Sequence, residues 1–507
     1  MHNRRSAVAS VTLACALSAP LALGASPARA DEVSDLRANQ ELLQQRLDQL
    51  AQAKAPGNPF GVGGPPGPTT VQTMGGSFPR SFLIPGTDTS LRIGGEIREN
   101  MLYWINGGNP NSAHNTNAGQ TGQLNNIPLS HSGAAAARGH AVFSQSPQQS
   151  KLNFETRTPT AWGEARTFIE FDFANLPVAQ SNRTFAISDN ISLRLRYAYG
   201  TLGGFLAGQA NSNFADSDAS MEMISFSGLV GDAGHSRIPQ IRYTQPLAGW
   251  GIGGALSVSA EQPDTEFWSP LTGVTGTFPA PAAVAGNPLK SPAPDLTAAW
   301  YIPQPWGHVD FSAVVRPTLE IKDGVNIDKT YTGFGGHFSG DVKPRWFDWD
   351  KDDITWQFTA GNSIGPFIGA GSGNSTIGLV SNYTAGITRG NLLVRPVFAW
   401  GGTVGYLHFW RPNLHSNIGF GIYHEDINTL HGVVCAGGGS AAQTAARNTG
   451  AAGCGLNKEL VSAGTNIFWN PVPFVDLGLE YYWGHRLTVG NAKGDENVLL
   501  SRFRVRF

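Results

Sequence analysis

Three arginines alternate with apolar residues at the end of the chain, which reads Arg-Phe-Arg-Val-Arg-Phe from Arg502 to Phe507. Successive side chains of an extended strand point to opposite faces, so the three guanidinium groups share one face. Guanidinium groups stay charged at any working pH and match carboxylate geometry, and rings of basic side chains favour anions in a pore. The same alternation predicts a common interior face for seven arginines: Arg92, Arg98, Arg194, Arg196, Arg502, Arg504 and Arg506.

The alternative interpretation is that these arginines stabilise the sheet and do not attract a solute. Acidic residues occupy the same faces of nearby segments, among them Glu96, Glu170, Asp476 and Glu480. Ion pairs between neighbouring strands would then hold the sheet together. The three arginines of the final strand have no acid between them, so they are the hardest to neutralise.

Four acidic residues lie in one long predicted loop, residues 211–237. They are Asp216, Asp218, Glu222 and Asp232. If this loop folds inward and narrows a channel, its carboxylates face the arginines and a field runs across the opening. A solvated surface loop is the alternative.

The motifs associated with catalysis lack their structural context. Gly361–Gly365 matches the GxSxG pattern around Ser363. A catalytic serine in this pattern requires a helix after the turn, and no helical period follows here. Gly249–Gly254 matches GxGxxG but opens a strand, so no helix dipole supports phosphate binding. His424 and His431 do not form a metal motif. The sequence predicts no enzyme, no cofactor and no metal site.

A hydrophobic period of two dominates from Ser90 onward, as in Leu91–Arg98, Ala165–Phe173 and Val475–Trp483. Such segments are typical of membrane barrels, although a soluble sandwich also alternates. Aromatic residues gather near the segment ends, as interfacial girdles do. We therefore predict an all-β fold, a 16-stranded antiparallel transmembrane β-barrel with a short N-terminal coiled-coil helix. This size leaves an aqueous channel.

Short turns and long loops alternate along the predicted barrel, as they do between the two rims of such proteins. The predicted short turns are 158–163, 200–204, 246–249, 303–307, 411–416 and 470–473. The predicted long loops are 105–148, 174–190, 211–237, 262–294, 362–401 and 428–458.

The N-terminal region divides into three segments before the barrel at 81–507. Residues 1–30 carry a basic start, an apolar run and an Ala-x-Ala end, which predicts a secretory signal peptide. Residues 31–55 show heptad spacing, and residues 56–80 form a Pro/Gly-rich linker. We predict a periplasmic coiled coil, with an amphipathic helix lying on the barrel as the alternative. Its apolar positions are Val33, Leu36, Leu43, Leu47 and Leu50.

Composition supports this assignment. Only 14% of the residues are charged, against about 25% in soluble domains. Without residues 1–30 the chain has 32 basic and 37 acidic residues, a net charge of −5, which argues against nucleic-acid binding. Cys435 and Cys454 would be the only remaining cysteines, and such an exported pair predicts a disulfide closing one loop. A metal site is the alternative, but no other metal-binding side chain of the Cys/His type lies between them.

Several segments resemble the DcaP-like trimeric porin family: Phe82–Gly95, Gly335–Gly340, and Gly405–Trp410 with Leu414–Asn417. The resemblance covers the chain after residue 30. It implies a homotrimer of 16-stranded barrels in the bacterial outer membrane, in contact with lipids and lipopolysaccharide. It also implies passage of small anionic solutes, dicarboxylates among them. We expect a porin for small polar solutes that favours anions. The alternative is a structural barrel that tethers the envelope through its coiled coil.

Overall fold

The structure is a computed structural model, and the chain divides into two units, residues 1–73 and 74–507. The predicted signal peptide, coiled coil and most of the linker lie outside the residues that the structure describes. Those residues are 75–107, 124, 127–129, 142–175, 192–226, 228–234, 236–248, 253–263, 267–268, 289–322, 327–346, 351–369, 378–382, 388–427, 435 and 452–507.

Nearly all regular structure in the described part is β-strand. Two short 3₁₀ helices are Gly365–Phe367 and Ala452–Gly455. The strands are β1 (Phe82–Leu83), β2 (Ser90–Asn106), β3 (Val142–Ser146), β4 (Lys151–Thr160), β5 (Gly163–Asn175), β6 (Ser192–Leu202), β7 (Phe205–Asn211), β8 (Arg237–Pro246), β9 (Ala255–Glu261), β10 (Phe267–Trp268), β11 (Leu289–Lys290), β12 (Asp295–Gln304), β13 (Gly307–Lys322), β14 (Asp328–Val342), β15 (Asp353–Asn362), β16 (Leu379–Ser381), β17 (Val394–Pro396), β18 (Phe398–Arg411), β19 (Leu414–Asp426), β20 (Asn457–Val472), β21 (Val475–Thr488) and β22 (Lys493–Arg506).

Sixteen strand positions form one closed antiparallel wall. The wall runs through β2, then β3 and β4 together, β5 to β9, β12 to β15, and β18 to β22. It closes where β2 pairs with β22, from Glu96 opposite Arg506 to Asn106 opposite Asn497. Closure leaves no unpaired sheet edge. An unpaired edge would not be tolerated in lipid. The predicted 16-stranded antiparallel barrel is confirmed.

The two rims differ as the sequence predicts, with two corrections. At one rim the strands join through short turns, such as residues 161–162, 305–306 and 412–413. The chain also leaves β14 at this rim, where Lys343 N donates to the carbonyl oxygen of Trp306, and this turn was not predicted from the sequence. The predicted loop 362–401 is too long, because β18 already begins at Phe398.

Outward and inward faces separate cleanly by residue type. The outward side chains Ile97, Phe311, Phe338 and Phe358 are exposed, and the rings of Phe311 and Phe338 lie 5.1 Å apart. Inward positions of the same strands are polar or packed against loops. Among the described residues, no helix has the length and apolar character needed to cross a membrane.

A β-bulge in β6 overturns one alternation inferred from sequence. The sequence places Tyr197 and Tyr199 on the face of Leu195, opposite to Arg196. The pairing with β5 shifts register between Leu195 and Tyr197, so both tyrosines join the inward face, where the Tyr199 hydroxyl lies 3.3 Å from Nη1 of Arg166. A bulge inserts one residue and thereby reverses the parity of all that follow.

The loops at the far rim are tied to one another. Strand β10 pairs parallel with β16, and β16 pairs antiparallel with β17. The Sγ atoms of Cys435 and Cys454 form a disulfide. This disulfide is buried in an apolar cluster with Val380, Val397, Ile427, Leu456 and Val489. The cluster joins segments that are far apart in sequence.

The disulfide generates a test. We expect no free thiol when the chain without residues 1–30 is denatured and labelled unreduced, and two after reduction, because Cys435 and Cys454 are then its only cysteines. Closing a loop of this length stabilises a protein by about 3 kcal/mol in the chain-entropy model. Two reactive thiols in the unreduced sample would show that the bond does not form.

Candidate functional site

The loop between β7 and β8, residues 212–236 and here called L3, crosses the inside of the barrel. Its backbone amides donate to inward side chains of distant strands. Val230 N donates to Ser462 Oγ at 2.9 Å and Ala233 N to Gln357 Oε1 at 3.0 Å. Glu480 accepts from the amides of Ile224 and Ser225, at 2.5 and 2.9 Å. L3 therefore lies inside the barrel and is not a surface loop.

Glycines on the wall make this close approach possible. A Cβ at Gly421 would stand 2.2 Å from the carbonyl oxygen of Val230, and one at Gly419 would stand 2.6 Å from Sδ of Met221. On the loop side, Gly231 has a φ of +87° and lies against the backbone of Ile422. Side chains at these positions would push L3 off the wall.

Apolar burial adds to these hydrogen bonds. Phe214, Ile224, Leu229 and Val230 of L3 are buried in a cluster with inward residues of the wall, such as Val314, Leu460 and Phe468. A buried side chain of this size contributes roughly 1.5–3 kcal/mol. L3 therefore fills the interior beside β13 to β22 as a packed layer.

The four acidic residues of L3 go to different places. Asp216 accepts from Ser339 Oγ at 2.7 Å and lies 2.7 Å from Nε2 of His308. Asp232 accepts from Gln357 Nε2 at 3.0 Å. Asp218 makes no ion pair among the described residues. Only Glu222 faces the predicted arginines, so the expectation that all four acids oppose them is wrong.

Glu222 bridges the loop and the closing strand. Its Oε1 accepts from Nη2 of Arg502 at 2.8 Å and of Arg504 at 3.3 Å, and its Oε2 lies 3.3 Å from Nε2 of His415. Burial raises the pKa of the Glu222 carboxyl, but His415 and the two guanidinium groups outweigh it and hold that pKa well below its usual value.

The lowered pKa of Glu222 determines the pH range in which this residue stabilises the folded protein. A lowered carboxyl pKa contributes stability that is fully present above the unfolded pKa of about 4.3. This stability is lost progressively as the pH falls from there through the lowered value. Glu222 therefore stays ionised and paired with Arg502 at neutral and mildly acidic pH.

The three arginines of β22 share one acid on the neighbouring strand. Asp476 accepts from Nε of Arg502 at 2.8 Å and from Nη2 of Arg506 at 2.7 Å, and it also pairs with Arg504. All three arginines face inward, as predicted. They are nevertheless partly neutralised, because the register of β21 against β22 sets Asp476 opposite Arg504.

The remaining predicted arginines also face inward and have partners. Arg98 donates to the carbonyl oxygen of Ile224 at 2.8 Å, so it holds L3. Arg98 is also the residue opposite Arg504 across the closure. Arg92 pairs with Glu155 on β4. The two arginines of β6 have acidic partners on β5: Arg194 with Asp172, and Arg196 with Glu170 and Asp172.

Two adjoining recesses open at the end of the barrel where the chain terminates. One has a volume of about 510 Å³ and includes Arg502, Arg504, Arg506 and Glu222. The other measures about 450 Å³, and Arg506 lines both. Together they are lined by six basic side chains, Arg80, Arg92, Lys151, Arg502, Arg504 and Arg506, and four acidic ones, Glu96, Glu170, Glu222 and Asp476.

Further inward arginines were not predicted from the sequence, and three of them, Arg157, Arg166 and Arg242, lie on β4, β5 and β8. Arg157 and Arg166 both donate to Oε1 of Glu155, at 2.9 and 2.8 Å. Arg242 on β8 makes no ion pair within the described part of the chain. It lies between the outward side chains Ile241 and Tyr243, and this alternation was the available signal.

The enzyme-like motifs have ordinary structural roles. Ser363 is buried, and its Oγ donates to the carbonyl oxygen of Gly378 at 2.8 Å. Gly254 has a φ of +86° just before β9, and part of the GxGxxG match lies outside the described residues. The described residues contain no group of three or more His, Cys, Asp or Glu side chains suited to a metal ion.

The family model of the Porin subfamily matches residues 80–496. The chain belongs to this porin family. It is an outer-membrane channel of a bacterium, and the family and fold make it a passive channel and not an enzyme. The resemblance to DcaP-like porins inferred from sequence is confirmed at the level of family and fold.

Solved structures include similar barrels. The outer membrane channel DcaP of Acinetobacter baumannii is 23% identical, with a TM-score of 0.59 over 83% of this chain and 97% of that chain. An anion-selective porin from Comamonas acidovorans is 8% identical, with a TM-score of 0.45 over 83% and 100%. OmpT of Vibrio cholerae in its trimer form is 9% identical, with a TM-score of 0.42 over 83% and 99%. No curated protein matches the sequence significantly.

The position of Glu222 predicts a change in selectivity. Glu222→Gln removes one negative charge from beside Arg502 and Arg504, so anion preference should rise by roughly twofold, equivalent to about 0.4 kcal/mol. The measurement is the reversal potential of the reconstituted porin in a low-salt gradient. Asp218→Asn is the matched control, because it removes the same charge from the same loop away from the arginines. Equal shifts in both variants would contradict a specific role for Glu222.

Proposed function

We propose that this porin lets small polar solutes diffuse passively and favours anions, small dicarboxylates among them, as a homotrimer. The observation that carries the proposal is the excess of basic over acidic side chains around the two recesses at the terminal end of the barrel. Guanidinium groups present paired donors that match a carboxylate.

Incomplete neutralisation supports an electrostatic role for the arginines. Asp476 is shared among three guanidinium groups, and Glu222 adds one further negative charge to two of them. Glu96 lies 3.6 Å from Nη1 of Arg504, but it is itself shared with Lys151. The side chain of Arg506 is 42% exposed and lines both recesses. An anion that enters these recesses meets guanidinium donors that are not fully paired with acidic side chains.

The opposite side of the interior supports the same preference. L3 packs against β13 to β22, and the wall of β4 to β8 carries Arg157, Arg166 and Arg242 on its inward face. Arg242 has no ion-pair partner in the described region, and low-dielectric surroundings focus its charge into the lumen. A solute that passes between L3 and this wall therefore remains close to fixed positive charge.

The homotrimer is proposed on separate grounds. The sequence resembles a family of trimeric porins, and a similar fold occurs in OmpT, whose structure is described as a trimer form. Residues 31–55 would contribute to assembly or reach rather than to the channel itself.

The test is the triple change Arg502→Gln, Arg504→Gln and Arg506→Gln, compared with the wild type in a low-salt gradient. The wild type should show an anion-selective reversal potential, and the triple variant should lose most of it. The difference should shrink near 1 M salt, where the Debye length is about 3 Å.

Arg389→Gln is the control, because that side chain is 65% exposed and pairs with Asp328 outside the recesses. It should leave the reversal potential unchanged. A folded triple variant with wild-type selectivity would mean that the three arginines only hold the wall, and the proposal of anion preference would then have lost its basis.

A further inference from the structure

An apolar groove opens on the outer face of the wall across β15 and β18 to β21. It has a volume of about 550 Å³, within the range of roughly 300–1,000 Å³ that small-molecule sites occupy. Large outward side chains line it, among them Val404, Ile418 and Phe420, together with the much smaller Ala463 and Thr465. The hollow therefore forms where small outward residues stand among large ones.

The lining of the groove offers almost no hydrogen-bonding group. The two tyrosine hydroxyls that border it donate elsewhere, Tyr406 to Oδ2 of Asp352 at 2.7 Å and Tyr481 to Oδ1 of Asn497. Thr465 adds one hydroxyl. Few partners are therefore present for a polar solute, whereas a hydrocarbon chain in the groove leaves no polar group of its own unpaired.

Directly behind the groove, on the inner side of the wall, lies L3. Gly405, Gly419 and Gly464 stand opposite one another across β18, β19 and β20 and line the groove with their backbone. On their inward side, a Cβ at Gly405 or Gly419 would stand 3.0 or 2.6 Å from Sδ of Met221, and one at Gly464 would stand 2.5 Å from Cε of Met223. The wall is thus a single backbone layer here, with methionines of L3 on one side and the groove on the other.

The groove lies in the half of the apolar band nearer the short turns. Tyr406 is five residues before the end of β18 at Arg411, and Ile418 is four residues after the start of β19 at Leu414. Four residues of strand span about 13 Å before tilt, and the apolar band of such a barrel is about 25 Å tall. Short turns face the periplasm, so the groove faces the periplasmic leaflet, which in bacterial outer membranes consists of phospholipid.

Aromatic and basic residues lie between the groove and the short turns. The ring of Trp346 lies 6.1 Å from that of Tyr406, and both Trp346 and Trp410 are exposed, as residues at headgroup level are. Arg345 and Arg411, at the turns that follow β14 and β18, are exposed as well. Guanidinium groups at this level are complementary to a phosphate.

We propose that this groove binds one acyl chain of a phospholipid of the periplasmic leaflet, with the phosphate at the level of Arg345 and Arg411. The inference does not depend on the solute preference or the oligomeric state of the channel. An unfilled hollow forfeits dispersion contacts, and within a bilayer such contacts, rather than the hydrophobic effect, govern what packs against a protein surface. A flexible acyl chain fills an open groove of this kind, and the phosphate adds electrostatic attraction to the arginines.

The test measures by native mass spectrometry the phospholipid that stays bound to the full chain in mild detergent. Samples taken directly from outer membranes identify the native occupant by its mass, and delipidated samples are then incubated with dioleoyl phosphatidylglycerol as the probe. Ala463→Trp fills the groove with an indole ring, and Ala463→Leu fills it with a smaller side chain if tryptophan prevents folding. Ala313→Trp is the matched control, because Ala313 is an exposed alanine of β13 between the buried inward residues Ser312 and Val314.

We expect one phospholipid per chain on the wild type and on Ala313→Trp, and severalfold less on the folded groove variant. The double change Arg345→Gln with Arg411→Gln should also lower retention of the probe severalfold, and unchanged retention would overturn the assigned headgroup position.

Equal retention on the wild type and the folded groove variant would overturn the site. Lipopolysaccharide as the native adduct would overturn the assignment to the periplasmic leaflet. An oligomer that Ala463→Trp dissociates without a change in bound phospholipid would show that another copy of the chain covers the groove. None of these results would touch the proposed channel function.

Discussion

The pairing of β2 with β22 closes the barrel wall. In lipid each unpaired backbone group costs several kcal/mol, so a sheet in a membrane must close on itself. Closure joins Glu96–Asn106 to Asn497–Arg506 and fixes the register of the last strand. A slip of one residue would turn the arginines of β22 into the lipid and its phenylalanines into the lumen, so one pairing determines both surfaces.

Inside the closed wall, hydrogen bonds, ion pairs and close backbone contacts hold L3 in place. Arg98 and Glu480 hold L3 through its backbone, and Glu222 returns the contact to Arg502. Glycines such as Gly421 let the loop reach the wall. The same arginines that secure L3 and the wall also provide the net positive charge of the recesses. In the proposed function, structural ion pairs and solute attraction are two uses of this one set of side chains.

Much of the fold follows from sequence, because the alternation of apolar and polar residues along a strand indicates which face each side chain occupies. The strand faces, the closing strand and most of the loops could be predicted in this way. Three features could not. The bulge that turns Tyr197 inward breaks the parity locally, the sharing of Asp476 depends on register between strands, and the distribution of the L3 acids depends on how the loop crosses the barrel. Each of these requires knowledge of which distant residues meet.

Single-channel conductance tests whether L3 lies inside the barrel. The measurement compares the wild type with a variant in which residues 215–233 are replaced by a short Gly/Ser linker and which still migrates as a folded barrel in unheated samples. Because L3 fills the interior beside β13 to β22, we predict a severalfold larger conductance for the variant. An unchanged conductance in the folded variant would show that L3 does not narrow the channel.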